Sequence, residues 1–433
     1  MGRVKGGVAT VSVMDPDVVR RSPFGTNPVV GERGSDTRAR VLAAAMEVFD
    51  DTAFSEARVE QITERAECSR PAFYQYFSSK DDVYWTLATQ LGREMVELSD
   101  RLGPVTPDEE GLATLTGWMD DFMSLHEEWS PVFRAYPDAT RANRDRDARP
   151  ASIAGHTAQR LLEAFDLSPT AANRRIVGTL VSLLIRCSFY AEAAPAGISR
   201  RPLQLGLARL FHRVLGGPVE GVNFSRGRSA GRRRIKIVAP MEPLPPSGLR
   251  ARGRRTRATL LRAGAEVLPS RGFHETRVDD IVEVAGVSHG TFYRYFDSKD
   301  DFFRALAEDA SIRLVELVEQ LDLDASAAEL RRWLEEWFSA YEADGGVIST
   351  WQDMRTTPEL VAFSQQIAAV VFSRLERLLD QRDFGHPQIA SAMLLALLER
   401  APYRVFVLGF STSADEIDAT LTIIRRGFLG ADD

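Results

Sequence analysis

A gapless internal repeat constrains this chain of 433 residues more than any other feature of its sequence. The stretch that begins at Thr37, TRARVLAAAMEVFDD, aligns with the stretch that begins at Thr256, TRATLLRAGAEVLPS, and the alignment continues to the motif SKDD in both copies. Nearly half of the aligned positions are identical. Self-similarity of this kind indicates two homologous modules in tandem, and the chain is long enough for each to bury its own core.

The stretch GVSHG allows two interpretations. Gly286, Ser288 and Gly290 have the G-x-S-x-G spacing of a serine-hydrolase nucleophile elbow, whereas Ser288 could instead cap the second helix of a helix-turn-helix. The first copy has Glu67 and Pro71 in place of the two glycines, although a strained elbow requires glycine. The residues before the turn also have helical rather than strand spacing. The repeat therefore favours the helix-turn-helix and leaves the serine hydrolase as a remote alternative.

The apolar spacing predicts an all-α fold in which each copy begins with three short helices. In the first copy these helices cover about 38–50, 59–66 and 70–77, and Ser35 or Asp36 caps the first. A turn of three or four residues joins the second and third helices, as in a helix-turn-helix.

The third helix has one apolar face and one face that is free to meet a groove. Phe73 and Phe77 are four residues apart and are the expected buried anchors, which leaves Ala72, Gln75 and Tyr76 on the opposite face. A tyrosine hydroxyl can reach a phosphate while its ring stays packed. In the alternative interpretation all four aromatic side chains of FYQYF belong to the core.

The motif AGVSHGTFYRYFDSKDDFF resembles the recognition-helix signature of TetR-type bacterial transcriptional repressors, and AECSRPAFYQYFSSKDDVY is a weaker version of it. The resemblance covers about fifty residues in each half. It implies two helix-turn-helix DNA-binding heads, each followed by a helical body that binds a small molecule and dimerises. It also implies that ligand binding in the body moves the heads and releases a double-stranded operator.

The resemblance places a matching set of residues from each head against DNA. Arg294 is the best candidate for base readout because a guanidinium suits guanine O6 and N7, whereas Gln75 at the equivalent position suits adenine. Arg58 and Arg277 are expected to bind the DNA backbone beside the N-terminus of the second helix, and Lys80 and Lys299 are expected to contact a phosphate. The sets are Arg58, Ser69, Arg70, Ala72, Tyr74, Gln75, Tyr76 and Lys80, and Arg277, Ser288, His289, Thr291, Tyr293, Arg294, Tyr295 and Lys299.

The first copy departs from the family pattern where its second helix ends. Glu67 stands where the family has a glycine that closes the helix in the left-handed conformation, and the second copy keeps Gly286. A non-glycine residue in that conformation costs about 1 kcal/mol. We therefore expect the first head to bind DNA more weakly. A degenerate regulator that acts through protein contacts, with only the second head on DNA, is the alternative.

Positive charge is concentrated between the modules although the net charge of the chain is −7. From 221 to 257 there are eleven Lys or Arg residues against one acid, Glu242. Attraction to phosphate acts within about a Debye length, ~8 Å at physiological salt, so local charge matters more than the mean. The predicted segments are a flexible N-terminus (1–34), a head (35–82), a body (83–216), a basic Pro/Gly-rich linker (217–253), a head (254–301) and a body (302–433).

The resemblance puts the dimerising surface on the last two helices of each body. Their apolar faces predict a four-helix bundle between the modules, unless they complete each body's own core. The hypothesis is an intramolecular pseudo-dimer on an asymmetric operator, and a homodimer of chains is the alternative. The four helices are expected at about 171–192 and 202–215, and at about 387–409 and 414–429.

Aromatic stripes in both bodies are candidates for an effector pocket, although such stripes form core more often than pockets. By resemblance the effector would be lipophilic, such as an acyl chain, a steroid or a drug. The residues are Trp118, Phe122, Trp129 and Phe133, and Trp333, Trp337, Tyr341 and Trp351.

Histidines and cysteines provide little sign of other chemistry. The six histidines are scattered, and the two cysteines, Cys68 and Cys187, are far apart in the chain. We therefore predict no enzymatic activity, no cofactor and no metal site. The longest apolar run is about half what a bilayer needs, so no membrane insertion and a cytoplasmic, nucleoid-associated location are expected.

Overall fold

The computed structural model describes residues 32–141, 149–193, 198–217, 251–353, 358–380 and 386–431. They fall into two compact units, one that ends at Thr89 and one that starts at Gln90. Every regular element within these ranges is helical, which confirms the predicted all-α fold. No helix in the described ranges is long and apolar enough to cross a bilayer. The predicted linker lies largely outside these ranges, as does most of the N-terminal segment.

The first unit contains the first head. It consists of α1 (Glu32–Asp51), α2 (Val59–Arg65), α3 (Arg70–Tyr76) and the first turns of α4 (Lys80–Asp100). Phe73 and Phe77 are buried as predicted. The predicted cap of the first helix is wrong, because α1 begins before Ser35 and Asp36.

The second unit contains the first body, the second head and the second body. The first body has α5 (Glu109–Glu128), α6 (Ser130–Arg141), α7 (Arg149–Ala164), α8 (Ala171–Ala193) and α9 (Arg200–Leu215). The second head has α10 (Ala251–Glu275), α11 (Val278–Ala285) and α12 (His289–Phe292). The second body has α13 (Lys299–Gln320), α14 (Ala327–Asp353), α15 (Pro358–Leu379), α16 (Pro387–Phe406), α17 (Ser413–Thr422) and a π-helical end segment (Ile423–Leu429).

Helix α16 lies at the centre of the second unit. Every residue from Ile389 to Leu398 is buried, as expected for a helix that is apolar on all sides. It packs against α14, α15 and α17 of its own body and against α8 and α9 of the first body. Helix α8 also contacts α17, and α9 contacts the π-helical end segment. The last two helices of each body therefore meet in one bundle within a single chain.

Candidate nucleic-acid interface

The second helix of each head starts at an equivalent arginine. Arg58 and Arg277 are N-caps with an extended backbone. The backbone N–H of Arg58 donates to Gln61 Oε1 at 2.8 Å, and that of Arg277 donates to Asp280 Oδ2 at 2.8 Å. Because the cap uses the backbone N–H, both guanidinium groups are left at the surface, where a phosphate can reach them.

The turn after this helix has left-handed backbone in both heads. The φ angle is 65° at Gly286 and 48° at Glu67. In each head the N–H of the following residue donates to the carbonyl five residues before it, at 3.0 Å, which is a Schellman closure. The first head thus keeps the turn geometry without the glycine, and its Glu67 bears the steric strain of that conformation.

A serine caps the recognition helix of each head. Ser69 Oγ accepts a hydrogen bond from the N–H of Ala72 at 3.2 Å, and Ser288 Oγ accepts one from Thr291 at 3.3 Å. A helix, α11, precedes Ser288, whereas a nucleophile elbow requires a strand there. The serine-hydrolase interpretation of this motif is therefore wrong, and Ser288 is a helix cap.

The recognition helices differ in length. Helix α3 runs from Arg70 to Tyr76, whereas α12 ends at Phe292 and continues as a tighter turn. In that turn the N–H groups of Arg294 and Tyr295 donate to carbonyls only three residues back. Proline at position 71 suits the first turn of a helix, whereas the equivalent Gly290 has poor helix propensity. The readout candidate Arg294 therefore lies on a 3₁₀-like turn.

One face of each recognition segment is open to solvent. Tyr74 is 48% exposed and Tyr293 is 51% exposed, so the interpretation that all four aromatic side chains are core is wrong. Gln75 and Arg294 beside them are also exposed. The remaining members of the predicted sets are exposed or half-buried: Ser69, Arg70, Ala72, Tyr76, Ser288, His289, Thr291 and Tyr295.

A basic side chain lies against an acid at equivalent positions of the two heads and links the two helices of the turn. Arg70 pairs with Glu60 in the first head, and His289 Nε2 lies 2.9 Å from Asp279 Oδ1 in the second. Surface pairs of this kind contribute about 0–1 kcal/mol. These contacts hold the side chains of Arg70 and His289 beside the second helix. To bind DNA, either side chain would have to leave its acid, Glu60 or Asp279.

The phosphate contact predicted for Lys80 is not supported by the direction of its side chain. Lys80 Nζ donates to the carbonyl oxygens of Phe54 (2.5 Å), Ser55 (3.2 Å) and Ala57 (2.9 Å), which occupies all three of its donors. Lys299 Nζ donates to Thr276 O at 3.1 Å, the position equivalent to Ala57. Both lysines tie the start of the fourth helix to the segment before the second helix.

Most of the predicted pocket residues belong to the core. The indole N–H groups of three tryptophans donate to backbone carbonyls: Trp118 to Leu98 (3.1 Å), Trp333 to Leu317 (2.8 Å) and Trp337 to Leu398 (2.9 Å). Phe122 and Tyr341 are buried, and the N–H of Trp129 donates to Glu94 Oε2 at 3.1 Å. The side chain of Trp351 lies outside the described residues.

Phe133 marks a polar site that the sequence interpretation missed. Its ring stacks on His126, which is fully buried, at 4.5 Å between centroids. His126 Nδ1 lies 2.6 Å from Glu192 Oε1, and Ser130 Oγ donates to Glu192 Oε2 at 2.6 Å. His126 Nε2 has no hydrogen-bond partner in the described part of the chain. His126 follows Phe122 by four residues, as Phe122 follows Trp118. This spacing was the sequence signal for the site, because it puts His126 on the same inward face of α5.

Comparison with known proteins matches both heads to one family. The model for bacterial regulatory proteins of the tetR family matches residues 41–84 and 260–306. The transcriptional regulator AcuR of Cereibacter sphaeroides is 42% identical over 74 residues, which are 17% of this chain and 34% of AcuR. The regulator YdgC of Bacillus subtilis is 38% identical over 76 residues, 18% of this chain and 39% of YdgC. The regulator EthR of Mycobacterium tuberculosis is 26% identical over 194 residues, 37% of this chain and 89% of EthR.

The chain spans little more than a third of the length of the first two of these relatives. Their names describe transcriptional regulators, and none of the three describes an enzyme. The two matched stretches contain α2 and α3, and α11 and α12, which have the same caps and the same turn. Two segments of the chain, residues 41–84 and 260–306, therefore match the tetR family of bacterial regulatory proteins, so the chain carries two tetR-type heads in tandem.

Proposed function

We propose that this protein is a transcriptional regulator whose two heads bind the two half-sites of one operator, with the modules paired inside a single chain. The main support is the pair of exposed recognition surfaces, which have equivalent caps and equivalent turns. The bundle formed by α8, α9, α16 and α17 supports pairing within the chain. Such a regulator acts on the nucleoid in the cytoplasm.

The two half-sites of this operator differ in sequence. Gln75 and Arg294 occupy equivalent exposed positions, and an amide suits adenine whereas a guanidinium suits guanine. Each such contact discriminates against a wrong base by about 1–3 kcal/mol. The proposal therefore includes an asymmetric operator rather than a palindrome.

The test starts from DNA selected from a random library by the full chain at fixed salt. Affinity for the selected site and for single-base variants is then measured for Gln75→Ala, Arg294→Ala and a control, Arg201→Ala, which removes an exposed arginine of α9. We expect each head variant to lose discrimination at one half-site by about 5–150-fold, and the control to keep it.

The same measurements separate the alternatives. If Gln75→Ala binds as the unchanged chain does and the footprint covers one half-site, only the second head reads DNA and the degenerate-regulator alternative holds. A perfect palindrome protected by two chains contradicts pairing within one chain. Selection that enriches no sequence contradicts the regulator proposal itself.

We further propose that the regulator is a repressor whose first body binds a lipophilic effector beside His126. In the neutral tautomer whose Nδ1–H donates to the Glu192 carboxylate, Nε2 is a buried acceptor, and the rings of Phe133 and Phe189 pack against the imidazole. A buried polar atom without a partner costs about 1–3 kcal/mol, and a hydroxyl or amide donor on an apolar ligand would satisfy it. The probe is a series of medium-chain alcohols and amides.

The expected result is operator release and a higher melting temperature with one member of the series. His126→Phe should lose both effects, whereas Trp333→Phe, a core change in the second body, should keep them. Release that persists in His126→Phe contradicts this site.

A further inference from the structure

Two polar clusters join α8 of the first module to α16 and α17 of the second. In the first cluster Arg404 Nε lies 2.9 Å from Glu416 Oε1, and these two residues are 7% and 0% exposed. Arg404 Nη1 donates to Gly178 O at 3.0 Å and to Ser182 Oγ at 3.3 Å, both on α8. Thr179 Oγ1 of α8 donates to the same carboxylate oxygen of Glu416.

Gly178 is the residue that lets Arg404 approach α8. A Cβ atom at this position would lie 2.8 Å from Arg404 Nη2 and 3.2 Å from Nη1. Because Glu416 holds the guanidinium from the other side, any larger residue would push it away from the Gly178 carbonyl. The first cluster therefore needs a glycine and a threonine from module one and an arginine and a glutamate from module two.

The second cluster also uses residues from both modules. Arg186 Nε lies 2.6 Å from Glu399 Oε2, and the hydroxyl of Tyr190 donates to the same oxygen at 2.8 Å. The Arg186 guanidinium also stacks over the Tyr190 ring at 4.8 Å. Both charged side chains are largely buried, so neither is easily hydrated if its partner is removed.

The two modules supply different residues at equivalent positions of these helices. The segment LLIRCSFY of α8 aligns with LLERAPYR of α16, and both have an arginine at the fourth position. This register makes Ile185 equivalent to Glu399, and Arg186 equivalent to Arg400. By this register Arg186 faces Glu399, whereas the position that would face Arg400 holds Ile185.

We propose that the two clusters form a pairing code that makes module one specific for module two. The proposal rests on the paired modules of the proposed function and names the residues that select the partner. Two copies of module one would bring each Arg186 against an isoleucine, which leaves two largely buried guanidinium groups without an acid. Removing one partner of such a pair is strongly unfavourable.

Self-pairing of module two is also disfavoured. The register places Ala392 where Gly178 stands, and Met393 where Thr179 stands. The alanine methyl group would displace the Arg404 guanidinium, and methionine has no donor for Glu416. Two copies of module one therefore lack the acid opposite Arg186, and two copies of module two lack the glycine and the threonine of the first cluster. The pair of module one with module two has all of these residues.

The test is a charge exchange in the full chain. Cys187 is fully buried in α8 next to Arg186, so the rate at which a thiol reagent modifies it reports opening of this region. In a Cys68→Ser background, Arg186→Glu and Glu399→Arg should each raise that rate by roughly tenfold or more. The double exchange should bring it back to within about threefold of the unchanged chain.

Arg200→Glu is the matched control. Arg200 pairs with Asp120 and Glu127 of its own module, so its reversal should leave the Cys187 rate unchanged. Single reversals without effect, or a double exchange that does not restore protection, overturn the pairing code. A control variant that opens the site as much as Arg186→Glu also overturns it.

A second experiment tests selectivity by transferring the acid. Ile185→Glu combined with Glu399→Ile removes the acid opposite Arg186 and puts one opposite Arg400, because the register pairs position 185 with Arg400 as it pairs Glu399 with Arg186. Glu399→Ile alone should raise the Cys187 rate roughly tenfold or more, and adding Ile185→Glu should lower it again because one arginine regains an acid. A double variant that is modified as fast as Glu399→Ile contradicts the code. Failure of the proposed function is distinct from both outcomes: the unchanged chain would then bind no DNA, whatever the charge exchange does.

Discussion

Two glycines of the second head are predicted to respond to the same substitution with opposite sign. Gly286 closes α11 with φ 65° and ψ 34°, in the left-handed region. Gly290 lies in the first turn of α12, where the backbone is right-handed helical. A Cβ atom added at either position meets no atom within 4 Å. Alanine at each position therefore tests backbone conformation without a change in packing.

The expected free energies follow from that difference. In Gly286→Ala the left-handed conformation costs about 1–2 kcal/mol, and the stiffer unfolded chain returns about 0.4–1 kcal/mol. The net loss is about 1 kcal/mol. In Gly290→Ala the higher helix propensity of alanine and the stiffer unfolded chain both favour the folded state, and the head gains about 0.5–1 kcal/mol of stability.

The measurement is native-state hydrogen exchange of the full chain without DNA, read on the amides of α11 and α12. Local exchange is needed because a chain of several domains does not unfold in one step. The two variants should differ by roughly 10–30-fold in exchange rate, with Gly286→Ala faster and Gly290→Ala slower than the unchanged head. Two shifts of the same sign would refute the conformational explanation.

Three further predictions concern the first head and the cysteines. Glu67→Gly should stabilise the first head by about 0.5–1 kcal/mol in the same exchange assay, because glycine removes the left-handed strain, and Glu67→Ala should not. Lys80→Met should destabilise the first head by more than about 1 kcal/mol while leaving the salt dependence of DNA binding unchanged, because its ammonium bonds three carbonyls; a lower salt slope would restore the phosphate role. Burial raises the pKa of the Cys187 thiol, so at pH 8 a thiol reagent should label Cys68 in the native chain and reach Cys187 only on unfolding; equal labelling rates would contradict this.

The heads were predictable because their signals are local and occur twice. Helix periodicity, the cap at Ser288, and the anchors Phe73 and Phe77 all act over a few residues, and the repeat favoured the helix-turn-helix over the elbow. The shorter α12 was harder to predict, because it depends on the balance between a helical turn and a tighter turn at Gly290. A small difference in propensity decides that balance.

The roles that depend on distant parts of the chain were not predictable. Lys80 follows the recognition helix, as a phosphate ligand would, but its three acceptors lie more than twenty residues earlier in the chain. Periodicity identified the inward stripe of α5 without saying what covers it, so core tryptophans and the His126 site were indistinguishable. The Arg186 and Glu399 pair joins positions in different modules, and spacing along one helix contains no information about such a pair.

The bundle of α8, α9, α16 and α17 forms between segments of one polypeptide, so its assembly is a first-order folding step. With the modules paired inside one chain, as proposed above, dilution would not separate the halves, and there would be no free subunit to exchange with another molecule. A cell that makes only a few copies would still hold each of them in the assembled state. Each half can also change its recognition residues by mutation without forcing the same change on the other, which a symmetric assembly of identical chains cannot do.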